Sequence, residues 1–147
     1  DINISNFIYY SKNLKVFGLD INDRKNVEKV LSQISVQSNS NFFDIIIDDG
    51  SHYLSDIIIS FNFLFRYVKK GGIYIIEDFK HPNYYGYNKN IDHILVDQML
   101  TNLKEKKLFN SNIVSKNDQI YFHENIEDIT IYKGNLELSD ICFIKKK

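Results

Sequence analysis

The run Phe43-Asp-Ile-Ile-Ile-Asp-Asp-Gly-Ser-His52 is echoed by Gly71-Gly-Ile-Tyr-Ile-Ile-Glu-Asp78, and each is an apolar, β-branched stretch that ends in two carboxylates. Ile45 to Ile47 and Ile73 to Ile76 read as strands covered on both faces, because neither alternates with polar residues. Between them, Leu54, Ile57, Ile58, Phe61, Leu64, Phe65 and Val68 share one broad face of a helix expected over Leu54 to Val68. Strand, helix and strand in this order make a right-handed crossover with parallel strands, so both acid pairs leave the same edge of one sheet. Open α/β sheets bind their ligands at that edge. Four acids gathered there repel one another unless a cation or shared protons compensate them, and the pattern therefore reads as a metal site. Helix capping accounts for Ser51 or Asp56, but not for two doubled acids together with His52.

The rest of the chain supports one α/β domain over residues 1–147. Leu14 to Leu19 suits a strand, Asp20-Ile-Asn-Asp23 a loop and helix cap, and Val27, Val30, Leu31 and Ile34 one face of a helix over Asn26 to Ile34. Polar residues from Ser35 to Asn41 suit a return loop, and Lys69-Lys-Gly-Gly72 suits the closure of the long helix, with cations at its C-terminal dipole and a glycine in the left-handed cap. From Phe79 to Asn90 the chain is aromatic and turn-rich, with Pro82, Tyr84, Tyr85 and Tyr87, which suits either a substrate lid or ordinary rim tyrosines. A helix is expected over Ile91 to Leu108, and Ile126 to Tyr132 with Ile141 to Ile144 suits a closing antiparallel pair around Gly134-Asn135. A net charge of -1 with scattered lysines gives no electrostatic case for nucleic acid or an anionic membrane. No apolar run approaches the roughly 20 residues that span a bilayer. A single cysteine, Cys142, excludes an internal disulfide and sits in an apolar run that suits the core, so the cytoplasm is the expected compartment.

The run Asp44 to His52, followed by Ser60-Phe61, Leu64-Phe65, Val68-Lys-Lys-Gly-Gly72 and Ile75-Ile-Glu-Asp78, resembles the metal-dependent class I methyltransferases that act on macrolide sugar hydroxyls, the macrocin and mycinamicin type, a pattern shared with cephalosporin hydroxylase-like proteins. The resemblance implies S-adenosylmethionine as methyl donor, Mg²⁺ as the ion and a sugar-containing small molecule as the acceptor. It implies Asp49, Glu77 and Asp78 as metal ligands and His52 as the general base. It also implies Asp1 as the ribose ligand, Asp20 near adenine and Asp48 as a further cofactor contact. In the family's sheet order, 3-2-1-4-5-7-6, the strand at Leu14 to Leu19 would be the third. The expected fold is a Rossmann-like methyltransferase sheet lacking its first two strands and glycine-rich loop, because none of the six glycines forms a G-x-G cluster after a strand. On that reading the chain is the C-terminal portion of a larger methyltransferase or a truncated descendant of one.

The chemistry of these residue types agrees with that implication on its own terms. Mg²⁺ takes hard oxygen ligands in octahedral geometry and keeps positions open for substrate, and two neighbouring sugar hydroxyls suit such positions. His52 lies three residues beyond Asp49 and can face the same cavity. Two other classes stay in view. A phosphoacceptor receiver domain shares the sheet and Mg²⁺ but wants its acids in a different strand order. A non-catalytic interaction module is the stronger rival, because an incomplete sheet has an apolar edge that another chain, including a second copy, could pair with.

Overall fold

The computed structural model describes residues 3–9, 11–38, 42–80, 90–135 and 139–147. The chain forms two compact units, Asp1–Asn41 and Phe42–Lys147. Within the first, α1 spans Arg24–Ser38. Asp23 caps it, its Oδ1 accepting the Asn26 N–H at 3.2 Å. The helix runs on to Ser38, into the segment expected to form a return loop, whose residues 39–41 lie outside the described ones, and Val27 is buried. Leu14 to Leu19 forms no strand. An extended segment needs a partner for its N–H and C=O groups, and no second strand occurs among the described residues of this unit.

The second unit runs β1 (Phe43–Asp48), α2 (Leu54–Leu64), β2 (Val68–Ile76), α3 (Val96–Lys104), α4 (Lys116–Asn125), β3 (Ile126–Tyr132) and β4 (Ile141–Lys146). Its sheet has the order β1-β2-β4-β3. β1 and β2 pair in parallel, and β4 pairs antiparallel with both β2 and β3. The crossover helix and the closing antiparallel pair are those expected from the sequence. Leu54, Ile57, Ile58 and Phe61 of α2 pack with Met99 and Leu103 of α3, Phe122 of α4, and Tyr74, Cys142 and Ile144 of the sheet. Phe61 stands at the centre, its ring 4.7 Å from Phe122 and 5.5 Å from Tyr74. Burial of each such side chain is worth about 1.5–3 kcal/mol. Burial of the Cys142 thiol pushes its pKa up to about 12.

Three expectations are corrected here. β1 is not covered on both faces: Ile46 packs toward the core, whereas Ile45 and Ile47 remain 56% and 58% exposed. Side chains alternate along a strand, and among the described residues of this unit the buried cluster forms on one face only. Secondly, α2 does not run to Val68 but ends at Leu64, followed by one 3-10 turn, Phe65–Tyr67, before β2 begins. The buried Lys146 ammonium donates to the carbonyls of Arg66 at 3.0 Å and Val68 at 2.8 Å, satisfying groups that a continuing helix would have used. Lys69 to Gly72 then lie within β2 as a bulge, since the register passes from Phe43 opposite Val68 to Ile45 opposite Ile73. Gly71 takes the left-handed conformation with φ +75°. A Cβ at Gly72 would stand 2.7 Å from the Asp44 carbonyl oxygen, so the close strand approach requires glycine.

Thirdly, α3 is shorter than Ile91 to Leu108. Asp92 is buried and accepts from Ser111 Oγ at 2.6 Å and from the Asn112 N–H at 2.8 Å, which ties its segment to a distant loop instead of a helix. α4 is an element not expected from the sequence, and its N-cap Ser115 accepts the Asp118 N–H at 3.2 Å. No helix among the described residues is long and apolar enough to cross a membrane.

Asp118 joins α4 to the 3-10 turn after α2 through Arg66, whose guanidinium also lies 4.1 Å over the Tyr121 ring. Burial pushes the Asp118 carboxyl up, but hydrogen bonds from Ser115 and Arg66 outweigh it and hold the pKa below its ordinary 3.8. A depressed carboxylate pKa adds stability that is present above 3.8 and lost as the pH falls through the lower folded value. Asp118→Asn is expected to melt below the wild type near neutral pH, with the gap closing below that point. Thermal melts of both proteins across the acid range provide the check.

Candidate metal and catalytic site

β1 delivers Asp48 and Asp49, and β2 delivers Glu77 and Asp78, at the same end of the sheet. The Glu77 N–H donates to the Asp48 carbonyl at 3.0 Å, so the parallel ladder extends to the acids themselves. Neighbouring strands lie about 4.8 Å apart, within reach for carboxylates of both to share one ion. Strand alternation then divides the first pair. Asp48 turns toward α2, where its Oδ2 accepts the Tyr74 hydroxyl at 3.1 Å. Asp49 turns outward, and its Oδ1 lies 3.2 Å from His52 Nε2.

The turn between β1 and α2 is unusual in its backbone. His52 has φ +56° and Asp78 has φ +49°, and among the described residues Lys106 is the only other non-glycine in that left-handed region. Such conformations persist where the surroundings impose them, and they concentrate at functional sites. A Cβ at Gly50 would meet Asp48 Oδ1 at 3.2 Å, so the chain crosses closely above that carboxylate. α2 begins after Tyr53 without a side-chain cap. Ser51 Oγ instead donates to Asp56 and accepts the Tyr53 N–H at 3.3 Å.

Burial raises the pKa of Asp48, opposed by hydrogen bonds from Ser60 and Tyr74 and by the nearby His52. Burial, and then the Asp48 charge, raise that of Tyr74 well above 10.0, so its phenol remains a donor at neutral pH. Ser60 and Tyr74 fall within the runs quoted from the sequence but carried no site role there. The available signal was a lone polar group within each of two apolar faces, since a buried hydroxyl needs a partner.

Asp48, Asp49, His52, Glu77 and Asp78 thus share one sheet edge. Asp20 lies in the Asp1–Asn41 unit, in the turn before α1, where its Oδ1 accepts the Asn22 N–H at 2.9 Å. Asp1, His81 and the tyrosines of the expected lid lie outside the described residues. Hard carboxylate oxygens on adjacent strand ends fit Mg²⁺ by donor chemistry. Among the described residues, no three His, Cys, Asp or Glu side chains are already drawn together around one point.

No protein-family model matches the chain. Individual proteins do match, and with them the strand-end acids acquire a context. The chain resembles sugar O-methyltransferases. It is 36% identical over 77 residues to mycinamicin VI 2''-O-methyltransferase of Micromonospora griseorubida, covering 44% of this chain and 19% of that protein. It is 36% identical over 75 residues to demethylmacrocin O-methyltransferase of Streptomyces fradiae, covering 43% and 19%. It is 37% identical over 82 residues to L-olivosyl-oleandolide 3-O-methyltransferase of Streptomyces antibioticus, covering 48% and 21%. The chain spans about a fifth of the length of these relatives.

Among solved structures, the MycE methyltransferase of the mycinamycin pathway, in complex with Mg, SAH and mycinamycin VI, superposes with a TM-score of 0.59 at 24% identity. That match covers 88% of this chain and 31% of MycE. The likeness shows the fold: an incomplete Rossmann-like methyltransferase sheet. The order β1-β2-β4-β3, with β4 antiparallel to both neighbours, reproduces the 4-5-7-6 half of that sheet.

Mg²⁺ titrated calorimetrically into Asp49→Asn and Glu77→Gln variants is expected to bind more weakly in each than in the wild type. The loss should exceed the roughly 10–100-fold that removal of an outer-shell partner costs. Unchanged affinity in both would remove these residues from the ligand set.

Proposed function

We propose that the protein is an S-adenosylmethionine- and Mg²⁺-dependent O-methyltransferase domain, in partial form, whose acceptor is a hydroxyl of a sugar-containing small molecule. The observation that carries this reading is the Asp49–His52 pair at 3.2 Å, beside a second acid pair joined to it through Glu77 and Asp48. The relatives' names and the MycE complex support the choice of donor, ion and acceptor class. The absence of any transmembrane-type helix among the described residues and the buried Cys142 thiol support the cytoplasm as its place of work.

When bound, the sulfonium supplies the methyl group and the cation lowers the pKa of a coordinated hydroxyl. This chain's residues do the remainder. Asp49, Glu77 and Asp78 would hold the ion, and the Asp49 carboxylate orients the His52 ring. The tautomer that donates Nε2–H to Asp49 carries its lone pair on Nδ1, which becomes the proton-accepting atom. Methyl transfer itself needs in-line positioning more than further covalent help.

His52→Ala in the full-length protein is expected to slow single-turnover methyl transfer by about a hundredfold or more, the usual scale for a positioned general base. Mg²⁺ and donor affinity should persist in the variant. A near-normal rate in the variant would make His52 structural. Full-length protein that transfers no methyl group to any glycosylated acceptor would favour the interaction module, for which the exposed Ile45 and Ile47 beside the β1 edge speak.

A separate expectation concerns the 147 residues alone, which contain no glycine-rich cluster after a strand. Backbone approach to the cofactor depends on such a loop. Calorimetry should detect weak S-adenosylmethionine binding or none, and tight stoichiometric binding would contradict this.

A further inference from the structure

Two hydroxyls lie in the part of the core where apolar side chains would be expected. Ser60, on the inner face of α2, and Tyr74, in the middle of β2, are both buried, with Tyr74 wholly inaccessible. Their oxygens stand 2.9 Å apart, and the Tyr74 hydroxyl donates to Asp48 Oδ2 at 3.1 Å. The Ser60 hydroxyl also hydrogen-bonds toward the Asp48 carboxylate, so Ser60, Tyr74 and Asp48 form one cluster. The cluster ties α2 and β2 to the last residue of β1.

Its end point matters because Asp48 is held twice. Its carbonyl receives the Glu77 N–H at 3.0 Å, and its carboxylate receives Tyr74. Tyr74 pairs with Ile46 in the ladder and therefore reaches Asp48 along the diagonal on the buried face. It sits three residues before Glu77, on the strand that delivers the second acid pair. The Gly50 backbone passes over the other carboxylate oxygen, on the path to His52. A rotation of Asp48 would thus move Asp49 on one side and release Glu77 on the other.

We propose that Tyr74, backed by Ser60, is a positioning residue: its hydroxyl clamps the end of β1 to β2 and sets the spacing between the two acid pairs. On this view Asp48 is an internal brace of the site. The proposal rests on the Mg²⁺ reading given above and names what holds that site in register. The Tyr74 hydroxyl reaches Asp48 and Ser60, neither of them among the three assigned ligands. Its ring packs on Phe61 at 5.5 Å and Phe65 at 6.5 Å, so Tyr74→Phe preserves the packing and deletes only the hydroxyl shared with Asp48 and Ser60.

The test is Mg²⁺ calorimetry on the full-length protein and its Tyr74→Phe, Ser60→Ala and Ser60→Thr variants, beside thermal melts of each. Tyr74→Phe is expected to lose about 10–100-fold in Mg²⁺ affinity, the scale for removal of an outer-shell partner. Ser60→Ala should lose affinity in the same direction, and Ser60→Thr, which keeps the hydroxyl, should retain it. In methyl transfer, kcat at fixed Mg²⁺ should fall with little change in the acceptor KM. If Tyr74→Phe does not fold, the Ser60 pair decides. Wild-type Mg²⁺ affinity in Tyr74→Phe and Ser60→Ala, even in proteins that melt earlier, would overturn the clamp and leave the metal site standing. A wild type that binds no Mg²⁺ would overturn both readings together.

Discussion

The parallel pairing of β1 with β2 is the constraint on which the candidate site depends. An antiparallel hairpin would send the two acid pairs to opposite ends of the sheet. A crossover through α2 returns the chain so that both strands finish at one edge, and the Glu77 N–H to Asp48 carbonyl bond carries the ladder to that edge. α2 can act as this connector because its apolar face is buried against Tyr74 and Ile76, with Phe61 at the centre of an aromatic cluster. Hydrophobic packing thereby fixes the distance between groups whose own charges would drive them apart.

Strain and electrostatic cost collect at the same edge. His52 and Asp78 occupy left-handed backbone, and Asp48 is a half-buried acid whose charged form burial disfavours. A structure tolerates such terms where the surrounding core over-determines the conformation. Here the determinants are specific: glycine at position 50 above the Asp48 carboxylate, hydroxyls of Ser60 and Tyr74 beneath it, and the ladder bond to Glu77 at its carbonyl. At the other end of the sheet, Lys146 performs a comparable service without an acid partner. It donates to carbonyls at the close of α2 and gives the chain a sharp turn into β2.

Much of the second unit was legible in the sequence, for reasons that differ by element. β1, β2, the crossover helix and the β3–β4 pair announced themselves through apolar period and length, and the two doubled acids through their repetition after similar strands. α4 was not legible from periodicity because its apolar residues trace no clean stripe, and only the Ser115-x-x-Asp118 cap marks it. The Leu14 to Leu19 run carried the composition of a strand, but no strand occurs among the described residues of its unit, and β structure is decided by pairing rather than by composition.

The sequence by itself determined the local and chemical content of this protein: which segments are apolar at which period, where the carboxylates and His52 fall, and the family that this spacing resembles. These follow from side-chain identity and short-range geometry, which a linear chain carries in full. Tertiary structure alone decided that α2 stops at Leu64, because the carbonyls beyond it are met by Lys146, about 80 residues distant in sequence. It likewise decided that Asp48 and Asp49 part company, one bound from within by Tyr74 and the other turned outward to His52. Strand alternation separates neighbours by face, and what each face meets is settled only when distant segments pack.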